Sequence, residues 1–258
     1  RCTMTRARVM PCLLLRGQGL VKTRKFKEPV YLGDPVNAVR IFSEKEVDEL
    51  VILDIDASRE GREPDYEVIA EIAGECFMPV AYGGGVRTLE QARRLIRCGV
   101  EKVVINTAAT ESYEVIRETA QVFGRQAVVG AIDVKKTLMG GYRVMAKSAS
   151  IEVRTPLDEH VQALVTAGVG EIFLNSVDRD GMMEGYDMPL IRRVAQQVNV
   201  PVVACGGAGT LEHLVAAVHE GGASAAAAGS MFVFHGKHRA VLITYPNPAE
   251  LEKKFAQT

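Results

Sequence analysis

The sequence predicts a single (β/α)8 barrel, in which eight parallel strands form a closed ring and each strand is followed by a helix. Three observations support this prediction. Eight short apolar runs alternate with eight amphipathic stretches, and the runs are continuously apolar, as in strands buried on both faces of a parallel sheet. The length of 258 residues matches the ~250 residues that such a barrel uses. An open, doubly wound sheet is the alternative, but eight parallel strands exceed what most open sheets contain.

The elements follow one another without a linker, so we expect one domain over residues 1–258, with residues 1–6 disordered or derived from an expression vector. Strands are predicted at residues 8–15, 50–55, 80–82, 102–105, 127–132, 171–175, 202–205 and 223–228. Helices are predicted at residues 35–46, 64–76, 89–98, 113–123, 156–167, 189–198, 211–220 and 248–256. Several of these helices begin with Pro in the first turn, or with Asp or Thr just before it, as helix starts do.

Two longer insertions interrupt the alternation. Residues 16–33 follow the first strand and are predicted to be a basic, glycine-containing loop. Its Lys22, Arg24, Lys25 and Lys27 could close over an anionic ligand, and the alternative is a solvated face. Residues 135–150 follow the fifth strand and are predicted to be a hairpin that turns at Gly140 and Gly141. Both insertions fall on the side of the barrel where active sites of this fold are built.

The chain contains an internal sequence repeat. Residues 84–90 (Gly-Gly-Val-Arg-Thr-Leu-Glu) and residues 206–212 (Gly-Gly-Ala-Gly-Thr-Leu-Glu) are 122 positions apart, and each follows a proline and a short apolar run. Such internal repetition indicates two half-barrels. We call Gly84-Gly85 the first Gly-Gly turn and Gly206-Gly207 the second.

The two turns predict phosphate binding. Glycine allows the backbone to approach a ligand and to point N–H groups at it. One βα unit after each turn, a strand ends in a residue pair with a small hydroxyl, Asn106-Thr107 in the first half and Gly229-Ser230 in the second. This arrangement suits a substrate with a phosphate at both ends. The alternative is that the glycines only allow tight corners.

Acidic residues at the ends of strands are candidate general acids or bases. They are Asp54, Asp56, Asp133, Asp178 and Asp180. Asp133 is the strongest candidate, because it ends an apolar run with no helix start beside it. The others, Asp178 and Asp180 above all, could equally cap helices or hold loops.

Four charged residues stand at the opposite ends of strands. Arg8, Glu49, Lys102 and Glu171 begin the first, second, fourth and sixth strands. Two are cationic and two anionic, so they could form a neutral ring of ion pairs across the floor of the barrel. The alternative is that each is solvated separately.

Composition excludes several classes of function. The net charge of −1 gives no electrostatic case for binding nucleic acid or an anionic membrane, and no apolar run approaches the ~20 residues of a membrane span. Five cysteines without a CxxC pair favour a reducing cytoplasm. His235 and His238 have no obvious third ligand, so we predict no metal site, and we predict no cofactor.

The chain resembles the cyclase subunit of imidazole glycerol phosphate synthase, the (β/α)8 half of a glutamine amidotransferase. The resemblance runs from about Val9 to the end. Its motifs are Met10-Pro11-Cys12-Leu13, Gly33-Asp34-Pro35, Asp48-Glu49-Leu50, Leu53-Asp54-Ile55, Gly83-Gly84-Gly85, Ile105-Asn106-Thr107-Ala108-Ala109, Ala131-Ile132-Asp133, Asp178-Arg179-Asp180-Gly181 and Gly206-Gly207-Ala208-Gly209.

The resemblance implies a glutaminase partner docked at the N-terminal face, whose ammonia passes a charged gate and crosses the barrel to a bisphosphate substrate. The four charged residues at the strand starts match that gate. The matches to phosphate and substrate contacts are Lys22, Gly85, Asn106, Thr107, Asp180, Gly181, Gly207, Gly229 and Ser230. Asp133 matches one of two catalytic aspartates.

The second catalytic aspartate of the family is absent. The family reads Pro-Cys-Leu-Asp at the end of the first strand, and this chain reads Pro-Cys-Leu-Leu, with Leu14 in the last position. Leucine can neither donate nor accept a proton, and a positioned acid or base is commonly worth ~10²–10⁴ in rate. Residues 22–27, 75–79 and 232–239 also resemble a divergent second-copy branch, which is associated with glycosyl amidation in surface-polysaccharide (lipopolysaccharide) pathways.

We therefore expect a cyclase-like subunit that uses ammonia from a glutaminase to amidate a sugar, together with a sugar amidotransferase. Three alternatives stay open: an authentic cyclase of histidine biosynthesis, a non-catalytic subunit that only conducts ammonia, and a phosphosugar isomerase.

Overall fold

The computed structural model describes residues 6–236 and 238–256. Eight parallel strands form its central sheet: β1 (Arg8–Arg16), β2 (Leu50–Asp54), β3 (Val80–Gly83), β4 (Lys102–Ile105), β5 (Val128–Lys136), β6 (Glu171–Ser176), β7 (Val202–Cys205) and β8 (Ala225–Ala228). Each strand pairs with the next, and β1 also pairs with β8, which closes the ring. The prediction of a (β/α)8 barrel is therefore confirmed, and an open sheet is excluded.

Helices lie between the strands and cover the outside of the ring. They are α1 (Pro35–Glu44), α2 (Tyr66–Gly74), α3 (Leu89–Arg97), α4 (Glu114–Phe123), α5 (Leu157–Ala167), α6 (Met188–Ala195), α7 (Leu211–His219) and α8 (Pro248–Ala256). The helix that follows each Gly-Gly turn begins with the same threonine N-cap. The hydroxyl of Thr88 accepts from the backbone of Gln91 at the start of α3, and that of Thr210 accepts from the backbone of His213 at the start of α7. Each hydroxyl satisfies a backbone donor that the helix itself leaves free.

The buried hydrophobic residues form two clusters, one on each face of the sheet. On β1, Val9 and Leu13 belong to the large cluster between sheet and helices, whereas Met10 and Leu14 belong to a smaller cluster inside the ring. This follows from side chains pointing to opposite faces of a strand in turn. The inner cluster contains several small residues, such as Ala81, Ala131, Ala225 and Ala227.

The first insertion is not the predicted loop but a β-hairpin. Residues Gly19–Arg24 pair with the end of β1 and with residues Lys27–Gly33, all antiparallel. The basic residues and glycines of the segment favour a loop, but Leu20 and Val21 are buried, and Lys22 is buried with them. The hairpin extends β1 beyond the rim of the barrel.

The second insertion is a hairpin, as predicted. Residues Tyr142–Ala146 pair antiparallel with the extended end of β5, and the amide of Thr137 donates to the carbonyl of Gly141 across the turn at 2.8 Å. A short strand, Ile151–Glu152, continues this sheet.

Several short elements were not predicted. Short helices follow β2 (Ala57–Glu60), β4 (Thr107–Glu111) and β8 (Ser230–Val233), and a 3-10 turn (Arg125–Ala127) precedes β5. A small hairpin of Phe234–His235 and Ala240–Val241 follows the last short helix.

The predicted disorder of residues 1–6 falls mostly outside the described residues. Arg6, which the structure describes, forms an ion pair of 2.5 Å with Asp48 at the start of β2. Among the described residues, no helix is both long enough and apolar enough to cross a bilayer.

Candidate functional site

A cavity opens at the C-terminal ends of the barrel strands. Its volume is about 1190 Å³, including the part that is open to solvent. The residues predicted to bind phosphate or substrate, or to act in catalysis, all line this cavity: Lys22, Gly84, Gly85, Asn106, Thr107, Asp133, Asp180, Gly181, Gly206, Gly207, Gly229 and Ser230. The structure thus brings together residues that are up to 208 positions apart in the chain.

The two Gly-Gly turns have matching environments. All four glycines have φ between +73° and +125°, a region that other residues rarely adopt. A Cβ on Gly84 would lie 2.6 Å from the carbonyl oxygen of Asp54 at the end of β2. A Cβ on Gly206 would likewise lie 2.6 Å from the carbonyl oxygen of Ser176 at the end of β6. A Cβ on Gly207 would lie only 2.2 Å from the carbonyl oxygen of Gly185. These positions therefore require glycine on steric grounds, and the same close approach leaves the backbone facing the cavity.

Asp133 lies at the C-terminal end of β5 and is partly accessible from the cavity. Its Oδ2 accepts a hydrogen bond of 2.9 Å from Nδ2 of Asn106. Burial raises the pKa of Asp133 to about 7, and the nearby Asp180 acts in the same direction, whereas hydrogen bonding by Asn106 opposes the shift. A carboxyl group with such a pKa populates both protonation states near neutral pH, which suits a general acid or base.

Asp180 holds the first hairpin against the barrel. Its carboxylate accepts from Nζ of Lys22 and from Oγ1 of Thr23, both at 2.6 Å, and from the amide of Phe26 at 3.2 Å. Burial opposes the charge on Lys22, but the Asp180 carboxylate outweighs it and raises the pKa of the lysine. The ammonium group of Lys22 therefore stays charged beside the cavity, and Asp180 serves as an anchor for the hairpin.

The remaining candidate carboxylates hold loops. Asp54 accepts from the amides of Asp56 and Ala57 at 3.0 Å. Asp56 pairs with Arg16 at 3.0 Å, and Asp178 accepts from the amide of Lys136 at 2.6 Å. These contacts favour the structural interpretation that the sequence left open.

Leu14 points into the barrel and lines the same cavity as Asp133. Its neighbours in the sheet are Leu53 on β2 and Val21 on the first hairpin. It is 9% exposed. The position therefore adds an apolar surface to the cavity.

The four charged residues at the other face form a closed ring of ion pairs, which we call the charged ring. Arg8 contacts both Glu49 and Glu171. Nζ of Lys102 lies 2.7 Å from Glu49 and 3.2 Å from Glu171. Cations and anions alternate around the ring, and both glutamates are buried, so each buried charge has two partners of opposite sign.

Three polar residues near the cavity were missed from the sequence. Ser58 accepts from the amide of Gly85 at 3.3 Å, and Asn175 lines the cavity beside Asp133. Arg239 donates to the carbonyl of Gly181 at 3.0 Å. The only signal for Arg239 was its place in the divergent segment of residues 232–239.

Comparison with known proteins places this site in a family. The profile of a family described as "Histidine biosynthesis protein" matches residues 8–239, which include both Gly-Gly turns, Asp133 and the charged ring. The chain belongs to the histidine biosynthesis protein family. This confirms the resemblance to the HisF-like cyclase of imidazole glycerol phosphate synthase, a cyclase or lyase type of enzyme subunit.

Several relatives of this HisF-like chain are similar over almost their whole length. A protein of Pseudomonas aeruginosa, provisionally named imidazole glycerol phosphate synthase subunit hisF2, is 58% identical over 250 residues, which cover 96% of this chain and 99% of the relative. A Vibrio vulnificus protein, provisionally named subunit hisF3, is 48% identical over 97% of this chain and 96% of its own. A Leptospira borgpetersenii protein, provisionally named subunit HisF, is 46% identical over 98% and 100%.

Proposed function

We propose that this HisF-like chain receives ammonia from a glutaminase docked at the N-terminal face of the barrel. It serves glutamine-dependent amidation of a sugar, together with a sugar amidotransferase, and binds a phosphorylated ligand at the C-terminal face. The observation that carries the proposal is the cavity itself, in which Asp133 has an apolar residue, Leu14, where the resembled cyclases have a second acid.

The charged ring supports the passage of ammonia. It closes the N-terminal end of the barrel, and the interior beyond it is apolar and partly lined by alanines. Ammonia is small and uncharged, so such an interior admits it far more readily than ammonium or another ion. A movement of Lys102, whose side chain is 20% exposed, would open the ring while both glutamates kept Arg8 as a partner.

The two Gly-Gly turns support binding of a phosphorylated ligand. They face one cavity from opposite halves of the barrel, and each is accompanied by a strand end with a hydroxyl side chain, Thr107 or Ser230. Backbone N–H groups at such turns bind phosphate oxygens. A ligand with phosphate at both ends would contact both turns.

Leu14 argues against efficient ring closure of the cyclase type. A reaction that needs one group to donate a proton and another to accept one requires two titratable side chains. Asp133 is the surviving group, and with a pKa of about 7 it can accept a proton when ammonia reacts.

Reconstitution tests the proposal. The chain, its glutaminase and the sugar amidotransferase are mixed with glutamine and the acceptor sugar, and the amidated sugar is quantified. We expect the glutamine-dependent yield to depend on this chain. An unchanged yield when the chain is left out would reject the proposal.

An authentic cyclase of histidine biosynthesis is the second candidate, favoured by Asp133 and the two intact Gly-Gly turns in one cavity. Rescue of a histidine auxotroph that lacks its own cyclase subunit separates the two candidates, since strong growth favours the cyclase. Asp133→Asn separates both from a pure ammonia conduit, which would lose nothing on this substitution.

A further inference from the structure

Arg239 lies at the rim of the cavity, on the turn of the small hairpin that follows β8. Its guanidinium carbon lies 4.5 Å from the centre of the Phe234 ring, an arrangement that fixes the plane of the guanidinium group. Nη1 donates to the carbonyl oxygen of Gly181 at 3.0 Å, and Nη2 lies 3.4 Å from Oγ of Ser230. The side chain is therefore held beside the second Gly-Gly turn by neutral groups only.

A second arginine converges on the same place. A Cβ on Gly181 would meet Cα and Cγ of Arg24 at 3.1 and 3.2 Å, so Arg24 packs directly over this glycine. Burial lowers the pKa of Arg239 and repulsion from Arg24 lowers it further, whereas the charge of Asp180 acts in the opposite direction. Two like charges thus approach each other at the cavity rim, which costs free energy unless an anion lies between them.

The carboxylate of Asp180 acts on Arg239 through its charge and is bonded to other groups. Asp180 is already engaged with Lys22 and Thr23. Within residues 6–236 and 238–256, Arg24 and Arg239 take part in no ion pair with a carboxylate within 4.0 Å.

The first Gly-Gly turn differs in this respect. Two arginines near it are paired, Arg62 with Asp54 at 3.4 Å and Arg59 with Asp56 at 3.6 Å, while Arg87 donates to the backbone carbonyls of Gly61 and Arg62. The backbone geometry of the two turns is alike, but paired arginines occur only near the first one within the described residues.

We propose that Arg239 is a ligand-binding residue that contacts the phosphate group held at the second Gly-Gly turn, with Arg24 as an accessory cation. The ligand class is a phosphomonoester, whose dianionic end matches two guanidinium groups. This assignment rests on the proposed binding of a phosphorylated ligand, and it names a side chain that contacts the phosphate at the second turn.

The test is a titration of the full chain with inorganic phosphate at constant ionic strength, followed by amide chemical shifts in a ¹H–¹⁵N NMR spectrum. Gly85 and Thr107 report on the first turn, and Gly207 and Ser230 on the second. In Arg239→Gln we expect phosphate affinity at the second turn to fall about tenfold or more, because a charged hydrogen-bonding partner is removed. Affinity at the first turn should stay unchanged.

Two further variants make the outcome specific. Arg239→Lys retains the charge without the planar fork and should retain part of the affinity. Arg117→Gln alters an exposed arginine on α4 that pairs only with Glu114, and it should change nothing.

Each outcome decides the matter. Equal affinity at the second turn in the original chain and in Arg239→Gln would overturn this assignment and leave the proposed function standing. If phosphate shifted no amide at either turn in the original chain, the assignment and the proposed phosphate binding would both be wrong.

Discussion

Asn106 donates a hydrogen bond of 2.9 Å from Nδ2 to Oδ2 of Asp133, joining the ends of β4 and β5. The bond favours the ionised carboxylate, whereas burial and the charge of Asp180 favour the protonated form. The balance places the pKa of Asp133 at about 7. The hydrogen bond from Asn106 therefore increases the share of the carboxyl group that is available as a base.

This balance predicts how the titration of Asp133 responds to its neighbour. The carboxyl carbon of Asp133 should titrate with a midpoint of about 7 in ¹³C NMR, and in Asn106→Leu the midpoint should rise, because the donor that stabilises the carboxylate is lost. Any step that needs the ionised group should speed up as pH rises through the midpoint and then level off. Asp158, whose pKa Arg193 lowers, is the internal control, and a midpoint for Asp133 near 4 would contradict the account.

The charged ring should contribute more to stability than the neighbouring ion pair outside it. Glu49→Gln leaves Arg8 and Lys102 with Glu171 as their single shared anion, so we expect the free energy of unfolding to fall by about 3 kcal/mol. Asp48→Asn breaks the separate pair with Arg6 on the same face, whose carboxylate is more exposed than that of Glu49, and should cost less. Urea denaturation measures both, and equal losses would show that the ring is not a coupled unit.

The second Gly-Gly turn should not tolerate alanine. The Cβ of Gly207→Ala would lie 2.2 Å from the carbonyl oxygen of Gly185, so the turn must shift as well as bear an unfavourable φ. Gly61→Ala is the matched control, because Gly61 has φ of +69° with nothing within 4 Å of its Cβ, and it should cost about 1–2 kcal/mol. We expect Gly207→Ala to cost more and to lose the phosphate-induced shift of Ser230, and equal stability of the two variants would refute the steric argument.

Leu14 should be the main obstacle to cyclase chemistry. Leu14→Asp restores an acid inside the cavity, and we expect cyclase turnover at least about tenfold above that of Leu14→Asn, since both variants bury a polar group but only the acid transfers protons. Turnover is measured with the bisphosphate substrate of the family and ammonium as nitrogen source. Equal rates for the two variants would show that residue 14 does not limit the reaction.

The barrel and the positions of its polar residues could be predicted from the sequence, because each depends on local patterns. Apolar runs define strands, and residues that follow them, such as Asp133 and Asn106, must meet at one end of a parallel ring. The internal repeat likewise placed the two Gly-Gly turns on one face, where the structure has them.

What the sequence could not predict depends on contacts between distant segments. The first hairpin is predicted to be a loop because its sequence is basic and contains glycines, but Asp180, 158 positions away, pairs with the buried Lys22. No sequence motif marks Arg239 as a site residue. Its hydrogen bonds with Gly181 and Ser230 form only in the folded barrel.

The most direct test of the account follows nitrogen through the proposed complex of this chain with a glutaminase and a sugar amidotransferase. Glutamine labelled with ¹⁵N in its amide is supplied together with excess unlabelled ammonium, and the isotope content of the amidated sugar is measured by mass spectrometry. We predict that the new nitrogen is mostly ¹⁵N, because ammonia travels through the charged ring and the barrel without mixing with the solvent. A product whose label equals that of the bulk ammonia would contradict the account.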